Sequence, residues 1–217
     1  MSPQPAVLTV RAQRTRDALI GAGRKLFAER PIDAVAIDDI VRAADVAKGS
    51  FYNHFADREA LVKAVMTEIR EQLEVAVGRV NAGVEDPARR IARALCVYQR
   101  YALDEPQRTR VLVRVSTGET NLSAPVNQGL ADDLTAGLAA GRLAIATLES
   151  AMLFVMGASQ AGLARTSREP SPALAVSLAQ QLCALVLRGL GVPAGEAEAI
   201  AAQAADEIVR GGAAAGG

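Results

Sequence analysis

Apolar residues recur every three or four positions along most of the chain, which is the spacing of one face of an α-helix. Prolines, glycines and polar clusters interrupt this pattern, and Pro31, for example, ends the first helical stretch. The pattern predicts no strand. It predicts ten helices, at about residues 11–30, 37–44, 48–55, 57–80, 86–103, 108–116, 125–141, 144–165, 172–190 and 194–210.

Residues 36–55 carry the pattern of a helix-turn-helix, in which two short helices are joined by a three-residue turn. Apolar residues line the inner face of the first helix. Phe51 and Phe55 are four positions apart, so they lie on one face of the second helix. Lys48 and Tyr52 then share another face, which remains free to enter the major groove of DNA.

The second helix of this motif begins with small residues. Gly49 has no Cβ, so its backbone can approach a phosphate or a base edge closely, and it costs a helix about 1 kcal/mol relative to Ala. We interpret His54 as a packing or phosphate-contacting residue, because the sequence supplies no catalytic or metal partners nearby. The residues predicted to contact DNA through this segment are Ala47, Lys48, Gly49, Ser50, Tyr52, Asn53 and His54.

The composition agrees with an all-α fold, and the charge is unevenly distributed. Half of the 217 residues are apolar, only 3% are aromatic, and Ala, Val and Leu dominate, which favours helices over sheets. The 24 basic and 24 acidic residues exclude a uniformly basic coat, yet residues 1–30 hold six basic residues and two acidic ones. Arg14 and Arg16 stand at the start of the first helix, where they could contact phosphates.

Residues 11–65 resemble the DNA-binding domain of the TetR family of bacterial transcriptional regulators. The resemblance rests on Phe27-Ala-Glu, Ile40-Val-Arg-Ala-Ala, the run from Val46 to Phe55, and Asp57-Arg-Glu-Ala-Leu. It implies an N-terminal three-helix helix-turn-helix domain at residues 1–60 and a C-terminal helical ligand-binding and dimerisation domain at residues 61–210. We expect the Gly/Ala tail, residues 211–217, to be disordered.

The resemblance also assigns roles and reveals departures from the family pattern. Recognition-helix positions that typically meet DNA are held by Lys48, Gly49, Ser50, Tyr52 and His54. Arg58 falls where the family usually has a Lys that touches phosphate. Ala36 replaces a usual Thr and Ala47 a common Ser, so two hydroxyls are lost. Asp45 replaces a turn Gly, and we expect it to adopt the left-handed conformation at a cost of about 1 kcal/mol.

Two C-terminal stretches, 144–165 and 172–190, carry more apolar surface than one small monomer can readily cover. We predict that they pair with a twofold-related copy into a four-helix bundle. The predicted interface residues are Leu148, Val155, Ala158, Gly162, Leu174, Leu178, Leu182 and Leu185. A homodimer presents two recognition helices to half-sites about 34–36 Å apart, which predicts a palindromic operator in double-stranded DNA.

The sequence specifies an effector site only loosely. The candidate ligand-binding residues are Tyr98, Gln99, Tyr101, Leu112, Glu149, Met152 and Met156. Arg114 is a further polar candidate, and core packing is the alternative role for each of them. Because few charges point to the interior, we expect the unknown effector to be small and largely apolar.

Residues that could support catalysis or hold a metal are scarce. The chain has one His and two Cys, without the spacing of a metal site. No phosphate loop, nucleophile–base set or carboxylate pair stands out. We therefore expect no enzymatic activity, no catalytic residue, no metal and no cofactor. We interpret Cys96 and Cys183 as buried free thiols in a reducing cytoplasm.

The sequence favours a cytoplasmic repressor that binds its operator as a homodimer and is released by an effector. Residues 1–10 lack the pattern of an export signal. The stretch from Leu143 to Leu163 is long enough to span a membrane, but its polar residues and glycines favour a buried interface helix. Four alternatives remain open: a helical ligand-binding protein without DNA function, an activator, a nucleoid-type binder without an effector, and, least of all, an enzyme.

Overall fold

The computed structural model describes residues 9–115 and 127–211, and every regular element within them is helical, which confirms the predicted all-α fold. The helices are α1 (Val10–Glu29), α2 (Ile37–Ala43), α3 (Lys48–Tyr52), α4 (Arg58–Val80), α5 (Pro87–Asp104), α6 (Pro106–Val115), α7 (Gln128–Ala139), α8 (Leu148–Arg168), α9 (Pro172–Gly189) and α10 (Ala194–Ala204). A 3-10 turn, Ile32–Ala34, precedes α2, and a π-helical turn, Ala205–Arg210, follows α10.

The chain divides into two compact units, Met1–Ile69 and Arg70–Gly217, and the division falls within α4. The sequence placed the domain boundary after residue 60, near the start of the same helix. The assignment of DNA binding to residues 1–60 and of regulation to residues 61–210 stays a prediction. Of the predicted tail, residues 212–217 lie outside the described residues.

The core of the first unit forms where α1 packs against α4. Phe27 and Leu61 are completely buried. The two helices approach closely at Gly23, where an added Cβ would lie 2.9 Å from Leu61 Cδ2. An ion pair reinforces the contact, since Arg24 Nη1 donates to Glu68 Oε1 at 2.6 Å.

The helix-turn-helix forms from α2, a tight turn and α3, and its second helix is shorter than predicted. Asp45 has a φ of +53°, so the expected left-handed conformation is confirmed. The carbonyl of Phe51 accepts from the N–H groups of both His54 and Phe55, at 2.9 Å each. The chain therefore leaves the helix after Tyr52, and the predicted helical end at Phe55 is wrong by three residues.

Helix α5 is central to the second unit and packs against α7, α8, α9 and α10. Asp86 caps its N-terminus by accepting from Ala88 N at 3.1 Å. Among the described helices, only α9 is long and apolar enough to cross a membrane. Core helices of proteins outside membranes can meet the same criterion of length and composition. Helix α9 packs against α5, α8 and α10.

Two helical starts differ from the prediction. Helix α8 begins at Leu148 rather than near 144, because Ala144 N donates outside the helix to Leu190 O at 2.8 Å. Thr147 then caps the helix by accepting from Ser150 N at 3.1 Å. Helix α7 is described from Gln128, and the predicted loop and helix start in residues 116–126 lie outside the described residues.

Candidate functional site

The first candidate site is the outer face of α3. The side chain of Lys48 is 57% exposed and Tyr52 is 53% exposed, so both project from the first unit. Phe51 and Phe55 are buried on the opposite face, with ring centroids 5.8 Å apart. This confirms the predicted division of the segment into an apolar inner face and a polar outer face.

The other residues of the predicted contact surface on this segment are all at least partly exposed. Ala47, Gly49 and Asn53 are exposed, whereas Ser50 and His54 are half-buried. An added Cβ at Gly49 would meet nothing within 4 Å, so packing within the unit does not require a glycine there. The contacts of these residues with DNA stay a prediction.

A carboxylate accompanies the principal cation of this surface. Asp38 Oδ1 on α2 lies 2.7 Å from Lys48 Nζ. The hydrogen bond and the negative charge of Asp38 raise the pKa of Lys48 above its usual value. This pair was not predicted from the sequence, although the second residue of α2 and the first residue of α3 are only ten positions apart.

The three arginines predicted to contact phosphate differ in their surroundings. Arg14 is exposed on α1, whereas Arg16 is half-buried with its guanidinium carbon 5.4 Å from the centroid of the Phe55 ring. Arg58 Nη1 donates to the carbonyls of Asp33 and Val35, at 3.1 and 3.4 Å. Arg58 therefore holds the 3-10 turn before α2 in place, a role that the sequence did not indicate.

The second candidate site is a cavity of about 500 Å³ in the second unit, lined by residues of α4 to α8. Three predicted ligand residues line it, Tyr98, Leu112 and Met156, and Val155 from the predicted dimer set lines it as well. Four other candidates do not, namely Gln99, Tyr101, Glu149 and Met152. The cavity thus includes part of the predicted set and a larger number of unforeseen residues.

Helical geometry explains why those four candidates lie elsewhere. Successive residues of a helix point about 100° apart, so Tyr98 and Gln99 cannot share a direction. Gln99 is buried and accepts from Thr166 Oγ1 at 2.7 Å, and Tyr101 donates to Gln72 Oε1 at 3.4 Å. Met152 is buried in the core.

The two remaining polar candidates are on the surface. Glu149 is exposed in the first turn of α8, and Arg114 is exposed near the end of α6. Neither residue lines the cavity. The apolar spacing of α6 and α8 in the sequence does not indicate which face of each helix lines the cavity.

Helix α4 supplies the polar wall of the cavity that the sequence analysis missed. Arg70, Glu74 and Val77 line it, and their spacing of four and three positions places them on one helical face. Asn81, the residue that follows the helix, continues this spacing and lines the cavity as well. That spacing was a usable signal.

Burial alters the acid–base properties of this wall. It raises the pKa of Glu74 above its usual value. It also raises the pKa of Tyr98 to about 12, with a further contribution from the nearby charge of Glu74 and a smaller opposing one from Arg70. Both groups therefore favour their uncharged forms more than they would in water.

A second pair of charges occupies another part of the wall. Arg90 Nε donates to Asp133 Oδ1 at 2.5 Å, and Arg90 Nη1 is close to the carbonyls of Asn81 and Val84. Burial raises the pKa of Asp133, and Arg90 partly offsets that effect. These two residues thus neutralise each other.

Two of the eight predicted dimer residues are buried within a single chain. Leu148 and Leu185 are exposed, whereas Ala158, Leu174, Leu178 and Leu182 are half-buried. Val155 and Gly162 are buried inside the unit, Val155 at the cavity and Gly162 against Gln99. The helical phase of α8 turns these two inward and exposes Leu153 and Phe154 instead.

A short helix with an exposed basic and aromatic face, followed by a helical unit with a cavity, is the arrangement of a helix-turn-helix protein with a second helical domain. The described residues hold no cluster of three or more potential metal ligands. Residues 19–65 match the profile of bacterial regulatory proteins of the tetR family, and residues 86–203 match the tetracyclin repressor-like C-terminal domain. The second match alone covers more than half of the chain, and the protein belongs to the TetR family of transcription regulators.

Curated relatives match over about a third of the chain. The transcriptional repressor DhaR of Mycobacterium sp. (strain GP1) is 38% identical over 80 residues, which are 35% of this chain and 39% of DhaR. The transcriptional repressor KstR2 of Rhodococcus jostii (strain RHA1) is 34% identical over 73 residues, which are 34% of this chain and 36% of KstR2. The matches thus span less than half of either relative.

Solved structures match over most of the chain. RolR without ligand is 30% identical with a TM-score of 0.70, covering 87% of this chain and 96% of RolR. RolR in complex with resorcinol is also 30% identical, with a TM-score of 0.63, covering 89% of this chain and 95% of RolR. The regulator FadR of Bacillus halodurans shares the fold, with 16% identity, a TM-score of 0.67 and coverage of 82% and 97%.

Proposed function

We propose that this regulator is a cytoplasmic repressor that binds a palindromic operator as a homodimer and leaves it when a small molecule fills the cavity. The observation that carries DNA binding is the exposed pair Lys48 and Tyr52, backed by buried Phe51 and Phe55. A helix enters the major groove only if its outer face is free and polar while its inner face is firmly packed.

Homodimerisation is supported by apolar side chains that one chain leaves exposed on α8 and α9. Leu153, Phe154 and Leu185 are 45%, 44% and 58% exposed. Exposed large apolar side chains on neighbouring helices are typical of protein interfaces. A symmetric pair of chains would place two copies of α3 about one turn of DNA apart, hence the inverted repeat.

Effector control is supported by the cavity and by the relative with a bound ligand. A volume of about 500 Å³ is within the usual range for small-molecule sites. RolR, similar over 89% of this chain, was crystallised with resorcinol, and we propose that a molecule of comparable size is the effector here. The lining mixes apolar and charged residues, so this effector is less uniformly apolar than the sequence suggested.

Release from DNA requires the ligand to bind one state of the protein more tightly than another. Helix α4 is the proposed connection, because it starts at Arg58 in the first unit and carries the cavity residues Arg70, Glu74 and Val77 in the second. A ligand that displaces this helix would change the spacing of the two recognition helices.

The test of DNA binding begins with selection of bound duplexes from random DNA. We expect an inverted repeat to be enriched. The double variant Lys48→Ala, Tyr52→Ala should bind the selected duplex at least tenfold more weakly and with a shallower salt dependence. Arg79→Ala removes an exposed cation from the end of α4 and serves as the control. Binding of the double variant at wild-type strength would refute the proposed site.

Repression and dimerisation have separate tests. Light scattering should give twice the mass of one chain, and Leu185→Glu should reduce it to one chain. A reporter gene downstream of the selected operator should be less active when the protein is expressed. Increased reporter activity would identify an activator instead.

A further inference from the structure

The cavity contains a buried hydrogen-bond acceptor that no described residue satisfies. Asn81 is only 3% exposed, and its Nδ2 donates to Arg90 O at 3.2 Å. This bond fixes the orientation of the amide. Asn81 Oδ1 is buried without a hydrogen-bond partner among the described residues, and Asn81 is one of the residues that line the cavity. A buried acceptor without a donor destabilises a protein, so the arrangement favours a ligand that supplies one.

Two further polar groups of the lining are also without partners. Glu74 lies two helical turns before Asn81 and makes no hydrogen bond or ion pair with the residues that the structure describes. Ser159 Oγ, on α8, is buried and has no hydrogen-bond partner in the described ranges 9–115 and 127–211. The cavity therefore presents one acceptor on α4, a second on the residue that follows this helix, and one hydroxyl on another wall.

The spacing of the two acceptors limits the size of the ligand. Residues 74 and 81 are seven positions apart, which is about 10 Å along a helix. This separation is between backbone positions, so a ligand that bridges the two side chains needs two donors at different positions of a compact framework, such as one six-membered ring.

The remaining lining determines the charge and polarity of the ligand body. Charged groups in the lining balance, because Arg70 and Arg90 oppose Glu74 and Asp133. Much of the wall between the polar groups is apolar, with contributions from Leu73, Leu95, Leu112, Leu130, Val155 and Leu163. A balanced wall favours a neutral ligand, since either sign of net charge would meet a like charge in a partly desolvated site.

We propose that the effector is a neutral ring compound with two hydroxyl groups, one donating to Asn81 Oδ1 and the other to the carboxylate of Glu74. The apolar residues enclose the ring, and Ser159 Oγ bonds a hydroxyl oxygen. This inference rests on the proposed function, because the ligand is an effector only if it controls DNA binding. Preferred binding of a cationic amine, an anion or a purely apolar molecule would contradict this assignment.

Calorimetric titration of the full-length protein with four related probes tests the ligand class. The probes are meta-hydroxybenzyl alcohol, its dimethyl ether, meta-hydroxybenzoate and meta-hydroxybenzylamine. We expect the diol to bind and the ether, which keeps the ring but has no donor, to bind at least tenfold more weakly, as should both charged probes. Equal binding of the ether, tighter binding of a charged probe, or no binding of the diol at millimolar concentration overturns the proposal.

Variants test the two contacts. Glu74→Leu removes one acceptor and should weaken the diol at least tenfold while leaving the weak binding of the ether unchanged. Glu71→Leu is the matched control, since Glu71 is exposed on the same helix and does not line the cavity. Asn81→Leu should act like Glu74→Leu. If it fails to fold because the bond to Arg90 is lost, Glu74→Leu still decides, and unchanged diol binding by that variant overturns the assignment.

A gel shift with the selected duplex separates this inference from the proposed function. Diol binding that leaves the protein on DNA contradicts control by the effector but supports the ligand class. Absence of any DNA binding contradicts the proposed function. The calorimetric test of the ligand class does not depend on DNA binding. Release of DNA by the ether or by a charged probe, but not by the diol, contradicts the ligand class alone.

Discussion

Lys48 Nζ on α3 lies 2.7 Å from Asp38 Oδ1 on α2, and both side chains are more than half exposed. Asp38 stabilises the charged form of Lys48 and raises its pKa. In the proposed complex a DNA phosphate is the partner of Lys48. In that complex Asp38 would compete with the phosphate for the ammonium group of Lys48 and would add a negative charge close to the duplex.

Asp38→Asn should bind the selected duplex several-fold more tightly than wild type at low salt. The substitution frees Lys48 and removes one repulsion, and both effects shrink as salt screens exposed charges. Fluorescence anisotropy titrations at several salt concentrations measure this. Glu85→Gln makes the same charge change in the second unit and should have little effect. Weaker binding by Asp38→Asn would mean that Asp38 positions Lys48 rather than competing for it.

Gly162→Ala should lower the free energy of unfolding by about 2–3 kcal/mol. The added Cβ would collide with Gln99 Nε2 and lie 2.8 Å from Leu182 Cδ1. Gln99 would have to move away from Thr166, which donates to it in the core. Denaturant unfolding measures the change.

Gly157→Ala, on the same helix, is the control for this substitution. An added Cβ there meets nothing within 4 Å, so the higher helix propensity of Ala should increase stability by up to about 1 kcal/mol. Similar effects of the two substitutions would contradict the close contact between Gly162 and Gln99.

The helices could be predicted because their signals are local. Apolar spacing located most of α1 to α10, and the turn chemistry of Asp45 was visible in the motif itself. The start of α8 was not visible, because it depends on a bond from Ala144 to the distant carbonyl of Leu190. Local periodicity carries no information about such a contact.

The candidate sites divide in the same way. Lys48 and Tyr52 could be placed on an outer face because Phe51 and Phe55 define the inner one. The cavity could not be located, because α4 to α8 assemble it and each helix contributes only one face. Tyr98 and Gln99 are neighbours in sequence, and only packing decides that one lines the cavity and the other bonds Thr166.

Asp86→Asn should destabilise the protein at neutral pH by about 1 kcal/mol. Asp86 accepts from Arg142 Nε at 2.9 Å and from Nη2 at 3.1 Å, and these bonds, with a smaller contribution from Ala88 N–H, lower its pKa against the effect of burial. Asn keeps the size and the capping oxygen but loses the charge.

The effect of Asp86→Asn should depend on pH in one direction. A pKa that folding lowers contributes stability above the pKa of the unfolded chain, about 3.9, and loses it as pH falls through the lower folded value. Urea unfolding from pH 7 to pH 3 should show wild type and variant converging at the acidic end. Glu198→Gln, exposed and free of ion pairs among the described residues, should follow wild type throughout. A difference between wild type and Asp86→Asn that persists at pH 3 would argue for a packing effect.

The two thiols should be unreactive in the folded protein. Cys96 Sγ and Cys183 Sγ are 3.8 Å apart and completely buried between α5 and α9, which confirms the two buried free cysteines expected from the sequence. The hydrogen bond to Cys96 and burial raise the pKa of Cys183 well above its usual value. Because the thiolate is the reactive form, a maleimide should label neither residue until the protein opens.

Labelling in increasing denaturant tests this shielding. Both cysteines should become reactive together, and the labelling rate should rise with the unfolded fraction measured by circular dichroism. Cys96→Ala should leave one thiol, Cys183, which no longer has its sulfur partner but still lies 3.5 Å from Ala92 O. If that thiol stays unlabelled in the native state, burial alone protects it. Rapid labelling of native wild type would instead require local opening of α5 from α9, and its rate would then measure the stability of that contact.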